Sequence, residues 1–152
     1  MDISFYHLTT TPLEKTLPRL LEKVLASSLR AVVLAQNHDH MMDLDHLLWT
    51  YTPLSFLPHG CQNTDDHDSF ASQQPIWLTT YIENPNTSKV LIVTNGSLIR
   101  ESGTFEKGID LFNGLDEKAV QDTRKRWKTY KEQGHCVTYW RQDDKGQWSK
   151  NE

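Results

Sequence analysis

The stretch Ala31-Val-Val-Leu-Ala35 decides the fold of this chain, because an unbroken apolar run of this length is typical of a strand buried on both faces. Strands of that kind belong to parallel sheets, in which helices cover both sides. On the N-terminal side of this run, residues 3–8 alternate and predict a first strand. Thr11-Pro12 then predicts the start of a helix, with proline at the first helical position.

The first helix should cover one face of the sheet, because its apolar side chains recur at helical spacing. These residues are Leu13, Leu17, Leu20, Leu21, Val24 and Leu25. Pro18 falls inside the pattern. We expect it either to kink the first turns or to move the start of the helix to Pro18 itself.

Towards the C-terminus, the chain alternates between further helices and strands. A second, short helix is predicted after Asn37 and through Trp49. A strong third helix runs from Asp116 to Gln133, and Gly134 ends it. Further strands are predicted at residues 76–81, 90–94, 109–112 and 136–141.

This order of elements predicts an α/β fold, with one domain and a mostly parallel sheet that carries helices on both faces, as in a Rossmann fold. The domain is expected to span residues 1–141. Residues 52–75 lack periodicity and predict a long surface connector. Residues 142–152 are polar apart from Trp148 and predict a loose tail.

Composition excludes several classes of protein. The chain has 152 residues, of which 37% are hydrophobic, and this suits one domain with its own core. No apolar run reaches the length of about 18 residues that a membrane helix needs, and the acidic start Met1-Asp2 does not resemble a signal peptide. Cys61 and Cys136 stand far apart without a motif, so we expect free thiols in a cytoplasmic protein. The net charge of −4 argues against a surface that binds nucleic acid throughout.

A nucleotide site is not expected, although proteins of this fold class often bind nucleotides. Such sites use a glycine-rich turn between the first strand and the helix that follows it. Here that turn reads His7-Leu-Thr-Thr-Thr-Pro12 and contains no glycine. We therefore expect no bound nucleotide. The chain is also expected to have no other cofactor and no small-molecule substrate.

The segment His38-Asp-His-Met-Met-Asp-Leu-Asp-His46 is a candidate metal site. Helical spacing places Asp39, Asp43 and His46 on one face, where they could bind the metal ion of a hydrolase. The segment lacks the His-Glu-x-x-His pattern of zinc hydrolases. Acidic and imidazole side chains also suit the solvent side of an amphipathic helix, and this is the interpretation that we favour.

The third helix carries a basic and aromatic stripe. Its members follow i, i+3, i+4, i+7 spacing: Arg124, Trp127, Lys128 and Lys131. Such a stripe can hold a carboxylate through charge-assisted hydrogen bonds, while the ring and the aliphatic stems cover an apolar side chain. It also suits the phosphates of single-stranded DNA, with Trp127 stacking on a base. A plain solvated helix face is the third interpretation.

Two large aromatic residues, Trp49 and Phe56, lie at the end of the second helix and in the connector behind it. No catalytic pattern surrounds them, and this favours a role as anchors for a partner protein. Residue type alone favours the opposite, because most tryptophan and phenylalanine side chains are largely buried. Their exposure in the folded protein decides between the two.

Three segments together resemble the chi subunit of bacterial DNA polymerase III. They are Leu44-Asp-His-Leu-Leu-Trp49, Ser55-Phe-Leu-Pro-His59 and Arg124-Lys-Arg-Trp-Lys-Thr-Tyr-Lys131, which Gly134 follows. Their order and spacing, with Phe5-Tyr6 in the opening strand, extend the resemblance over nearly the whole chain. One basic position of the family is occupied here by Val120, and Trp127 stands where the family often has tyrosine.

The resemblance implies a clamp-loader accessory subunit without an active site of its own, which bridges two partners during DNA replication. One surface would bind the psi subunit and, through it, the clamp loader. The residues that match this surface are Trp49, Phe56 and Pro58.

The second surface of the family would receive the acidic, phenylalanine-ending C-terminal tail of single-stranded DNA-binding protein. The positions that match it here are Arg124, Trp127, Lys128 and Lys131. Contact with DNA would then be indirect. A metal-dependent hydrolase and a direct binder of single-stranded DNA remain as alternatives.

Overall fold

The computed structural model describes residues 1–51, 57–62, 71–94, 96, 98–99, 105–145 and 147–151, with residue 151 described by its backbone alone. Within these ranges the chain forms three α-helices, α1 (Leu13–Ala26), α2 (His38–Thr50) and α3 (Glu117–Glu132), and a short 3-10 helix at Ala71–Gln73. The strands are β1 (Asp2–Leu8), β2 (Ala31–Leu34), β3 (Gly60–Cys61), β4 (Ile76–Thr79), β5 (Val90–Val93), β6 (Lys107–Asn113), β7 (Cys136–Gln142) and β8 (Trp148–Asn151).

These strands form one sheet in the order β3-β4-β2-β5-β6-β1-β7-β8. Its neighbouring strands are parallel, except that β8 runs antiparallel to β7. The predicted mostly parallel α/β sheet is therefore confirmed. The apolar run that decided the fold forms β2, which is fully buried between β4 and β5.

Two hydrophobic clusters lie on the two faces of the sheet. On one face, α1 and α2 contribute Leu17, Leu21 and Leu44 to a cluster that also holds alternate residues of β2. On the other face, Tyr130 of α3 packs against Phe5 of β1, with ring centroids 5.9 Å apart. Helices on both faces were predicted, and the structure confirms them.

The connections leave the neighbouring strands β1 and β6 in opposite directions. From β1 the chain passes through α1 to β2, whereas from β6 it passes through α3 to β7, on the far side of β1. In open α/β sheets this divergence creates a crevice at the carboxyl ends of the two strands, where ligands bind. Here those ends are Leu8 and Asn113, which are paired in register.

Two local expectations were wrong, and one of the two alternatives for Pro18 is excluded. The helix α1 begins at Leu13 and includes Pro18, so its start does not move to the proline. Pro18 is buried in the core, and this packing offsets the one backbone hydrogen bond that proline cannot donate. The predicted connector contains the edge strand β3, which is too short to show a period. The predicted loose tail contains β8, which pairs with β7 and places Trp148 edge-on against Tyr6, with centroids 5.2 Å apart.

Candidate functional site

A groove opens beside the crevice between β1 and β6, on the α3 side of the sheet. Its volume is about 790 Å³, which is within the usual range for a ligand site. One side of α3, from Glu117 to Trp127, and the carboxyl ends of β1, β6 and β7 form its walls. Its lining residues are His7, Thr9, Gly114, Leu115, Glu117, Val120, Gln121, Arg124, Trp127, Tyr139 and Arg141.

The turn after β1, where a nucleotide-binding protein would hold phosphate, is closed by Gln142. The Oε1 atom of this buried residue accepts hydrogen bonds from the backbone N–H groups of Thr9, Thr10 and Thr11, at 3.3, 3.0 and 2.9 Å. Its Nε2 atom donates to the hydroxyl of Thr11 at 2.8 Å. The donors that would cradle an anion are thus engaged by the protein's own carboxamide.

Two hydrogen-bonded side chains, His7 and Tyr139, form the floor of the groove. The Nδ1 atom of His7 lies 2.5 Å from the hydroxyl of Tyr139, and the imidazole also hydrogen-bonds the backbone of Gly114. Any Cβ atom at residue 114 would lie 2.0 Å from Nε2 of His7, so this close approach requires glycine. A neutral imidazole that donates to Gly114 and accepts from Tyr139 satisfies both contacts.

The charges around this floor act on its titratable groups. Burial lowers the pKa of His7, and the guanidinium groups of Arg141 and Arg124 lower it further. Burial raises the pKa of the Tyr139 hydroxyl, while the same two arginines act in the opposite direction. The floor is therefore neutral at pH 7, and the charge of the groove comes from its walls.

The structure places the predicted stripe on α3, but divides it. Arg124 and Trp127 line the groove, whereas Lys128 and Lys131 do not. Lys131 instead holds its ammonium group 4.8 Å from the centroid of the Trp127 ring, in a cation–π contact. The apolar part of the lining includes Val120 and the side chain of Leu115, which is 74% exposed.

Sequence reasoning missed the residues that β1 and β7 contribute to the groove. Val137, Tyr139 and Arg141 alternate along β7 and therefore share one face of that strand, which was the available signal. What the sequence lacked was the pairing of β7 with β1, which places Tyr139 beside His7.

The second candidate surface lies at the C-terminal end of α2. Trp49 is 53% exposed, and its ring centroid lies 5.0 Å from that of His59. His59 is buried, and its ring nitrogens contact the Asp45 carboxylate at 2.9 Å and the Leu57 carbonyl oxygen at 2.7 Å. These contacts tie the chain after α2 back to the helix beneath Trp49. The interpretation of Trp49 as a core residue is wrong, because half of its side chain is open to solvent.

The other residues predicted for this surface have different outcomes. Pro58 is exposed beside His59. Phe56 lies outside the described residues, so its exposure stays a prediction.

The candidate metal residues are spread along the outer side of α2. Asp39, Asp43 and His46 are all exposed. Among the described residues, no three His, Cys, Asp or Glu side chains come close enough to share a metal ion. Asp45, which lies between them in sequence, instead pairs with His59. Burial and the nearby Asp45 carboxylate raise the pKa of the Cys61 thiol, which keeps it protonated at neutral pH.

None of the helices in the described part of the chain is both long and apolar enough to cross a bilayer.

The fold and the site together define a doubly wound α/β protein. In this protein the turn after β1, which binds phosphate in nucleotide-binding proteins, is occupied by the side chain of Gln142. The family described as "DNA polymerase III chi subunit, HolC" matches residues 1–138. A relative from Rickettsia prowazekii (strain Madrid E), named "Probable DNA polymerase III subunit chi", is 33% identical over 114 residues, which cover 75% of this chain and 67% of the relative. The chain belongs to the DNA polymerase III chi subunit family, and this membership implies an accessory role in DNA replication.

Proposed function

We propose that this protein is a non-catalytic bridge, which binds the psi subunit on one surface and the C-terminal tail of single-stranded DNA-binding protein on another. The proposal rests on two separate surfaces: one carries the exposed Trp49, and the other carries the partly buried Trp127 beside the exposed cations of α3. Trp49 projects from α2, which packs beside β3 and β4, whereas Trp127 lies on α3 near β7. From β4 to β7 there are five strand spacings, or about 24 Å, so that two partners have room to bind at once.

The groove side suits the tail of single-stranded DNA-binding protein. The acidic residues of the tail would pair with the cations of α3, which are Arg124, Lys128 and Lys131. The terminal phenylalanine would pack against the Trp127 ring and the apolar lining residues Leu115 and Val120. Interactions of this kind between exposed charges weaken as salt rises. We expect a micromolar dissociation constant, which corresponds to roughly −8 kcal/mol.

The α2 side suits the psi subunit. Tryptophan is enriched among the residues that dominate binding at protein interfaces, Trp49 is exposed beside the ring of His59, and Pro58 continues this surface. Phe56 is proposed as its third member. Through psi, the protein would join the clamp loader and work in the cytoplasm, where DNA is replicated.

Two contacts support a role without catalysis or cofactor. The Gln142 carboxamide occupies the donors of the first turn, and the protonated Cys61 thiol is a poor nucleophile. Contact with DNA is proposed to be indirect.

The tail site is tested by titrating a synthetic acidic peptide that ends in Asp-Asp-Ile-Pro-Phe. We expect micromolar binding to the wild type and at least tenfold weaker binding to Arg124→Ala, because a charge-assisted hydrogen bond is lost. Arg19→Ala is the matched control, since Arg19 is exposed on α1, on the opposite face of the sheet. No binding by the wild type, or equal binding by Arg124→Ala, contradicts the site.

The two alternative functions have their own tests in the same samples. Tighter binding to a bare oligonucleotide than to the peptide would favour a direct binder of single-stranded DNA. Stoichiometric zinc after purification, which disappears in His46→Ala, would favour the metal-dependent hydrolase.

The psi site is tested by copurification of the psi subunit with Trp49→Ala. We expect the complex to be lost, because truncation of a buried interface tryptophan commonly costs 2 kcal/mol or more. Tyr81→Ala is the control, because Tyr81 is 53% exposed, as Trp49 is. If both variants, or neither, lose the partner, Trp49 is not a specific anchor.

A further inference from the structure

We propose that Arg141 of β7 and Arg124 of α3 together bind the free C-terminal carboxylate of the ligand peptide, so that Arg141 sets the specificity of the groove for a peptide's end. This inference rests on the proposed binding of an acidic tail. It adds a residue that lies beyond the match to the family, which ends at residue 138.

The two arginines face one groove from different elements. Arg124 extends from the third turn of α3, and Arg141 extends from the carboxyl end of β7, and both line the same cavity. Both guanidinium groups also shift the pKa values of His7 and Tyr139 in the floor, which agrees with their shared place in the lining. An anion bound in the groove would be attracted by both charges.

Among the described residues, neither arginine has an ion-pair partner. Within the described part of the chain, the ion pairs are His59–Asp45, Lys89–Glu106 and Arg126–Asp110, and none of them involves Arg124 or Arg141. Glu117 also lines the groove, but it precedes Arg124 by seven residues, or about 10 Å along the helix. Two like charges around one cavity repel each other, and a bound anion relieves this repulsion.

The surroundings select a carboxylate attached to an apolar group. The Tyr139 hydroxyl is already used by His7, and the backbone donors of the first turn are used by Gln142, so the two guanidinium groups are the charged donors that the lining offers to a ligand. The rest of the lining includes Leu115 and Val120, which can cover an aromatic side chain but offer nothing to a chain of phosphates. A planar carboxylate also matches the fork of a guanidinium group.

Arg141 also compensates for the positive charge that is missing at Val120. At that position the family has a basic residue, by the resemblance described above, and here the position is part of the apolar lining. The second cation is supplied from β7 instead, across the groove from α3.

The test compares the peptide ending in Asp-Asp-Ile-Pro-Phe as a free acid and as a C-terminal amide, titrated against wild type, Arg141→Gln and the control Arg19→Gln. The wild type and the control should bind the free acid at least about tenfold more tightly than the amide. In Arg141→Gln, binding of the free acid should fall about tenfold while binding of the amide changes little, so that the preference for the free acid largely disappears.

The outcomes separate this inference from the proposed function. If Arg141→Gln keeps the full preference for the free acid, the role of Arg141 is overturned while the tail site stands. If the wild type binds the amide as well as the free acid, carboxylate recognition is overturned. If no peptide binds the wild type, both proposals fail. Competition by inorganic phosphate or an oligothymidylate that matches the free acid and depends on Arg141 would also overturn the inference, because it would show a general anion site.

Discussion

The two faces of α3 use arginine in opposite ways. On the inner face, Arg126 reaches the fully buried Asp110 of β6, with Nε–Oδ2 and Nη2–Oδ1 distances of 2.8 and 3.2 Å, and Nη2 also donates to Thr123. On the outer face, Arg124 lies two residues earlier and forms no ion pair within the described part of the chain.

The difference teaches that a basic cluster in a sequence is not one functional unit. Arg126 stabilises the packing of α3 on the sheet, because the buried Asp110 carboxylate needs its charge. Burial raises the pKa of Asp110, and the neighbouring Arg126 guanidinium opposes that rise. The open charge of Arg124 is available to a partner. Inner charges should therefore control stability, and outer charges should control binding.

The largest expected effect is the loss of the inner pair. Arg126→Met should lower the free energy of unfolding by about 3–5 kcal/mol, because it leaves the Asp110 carboxylate buried without a partner. Urea denaturation followed by circular dichroism measures this. Arg124→Met should change the stability by less than about 0.5 kcal/mol.

The double variant Asp110→Leu/Arg126→Met is the control for the inner pair. It should regain most of the stability, since replacing both partners by apolar groups is often neutral. If Arg124→Met destabilises the protein as much as Arg126→Met does, the distinction between the two faces is wrong.

The second effect ranks the cations of the outer face by their peptide binding. Arg124→Ala should weaken binding about tenfold or more, because Arg124 lines the groove. Lys128→Ala and Lys131→Ala should weaken it about two- to threefold each, since they act from outside the groove through screened charge. Calorimetric titration at two salt concentrations measures this ranking. Equal losses for all three variants would show that the groove has no special part in binding.

The third effect concerns the closed turn beside the groove, which should behave like the inner face. Gln142→Ala should destabilise the protein by about 1–3 kcal/mol, because three backbone N–H groups lose their shared acceptor. Gln142→Glu should keep most of the stability, since a carboxylate can accept from the same donors near the start of α1. A glutamate variant as unstable as the alanine variant would contradict this account of the turn.

The smallest effect is the pH dependence that comes from His7. Its pKa in the folded protein is lowered by burial and by Arg141, so between that value and the ordinary value near 6.5 the unfolded chain binds more protons than the folded chain. The contribution of His7 to stability is therefore fully present above pH 6.5 and is lost as the pH falls below it.

Wild type and His7→Gln are compared by denaturation from pH 8 to pH 5.5. The stability of the wild type should fall more steeply with decreasing pH, and the six other histidines, present in both proteins, cancel in the difference. Parallel curves would show that His7 is not held in its neutral form.

Much of the fold was predictable, because its signals are local. The apolar run at β2, the Asp116 cap and the Gly134 end of α3 each follow from residue type and spacing, and the structure has all three. The sequence did not predict β3, because a strand of two residues shows no periodicity. It did not predict β8, because this polar segment becomes a strand only through its pairing with β7. The sequence correctly placed the basic and aromatic stripe on one face of α3. Which of its residues line the groove depends on the position of β1 and β7, which the sequence does not give.

The sequence by itself determined the class of fold, the lack of a glycine-rich first turn and the concentration of cations on α3, because propensity, periodicity and composition act within a few residues. Only the tertiary structure decided which arginine is paired and which is open, and that Arg141 shares a groove with Arg124. It also decided that Gln142 fills the first turn, 133 residues after Thr9. Contacts between residues so distant in the chain depend on the order of strands in the sheet, which no local pattern specifies.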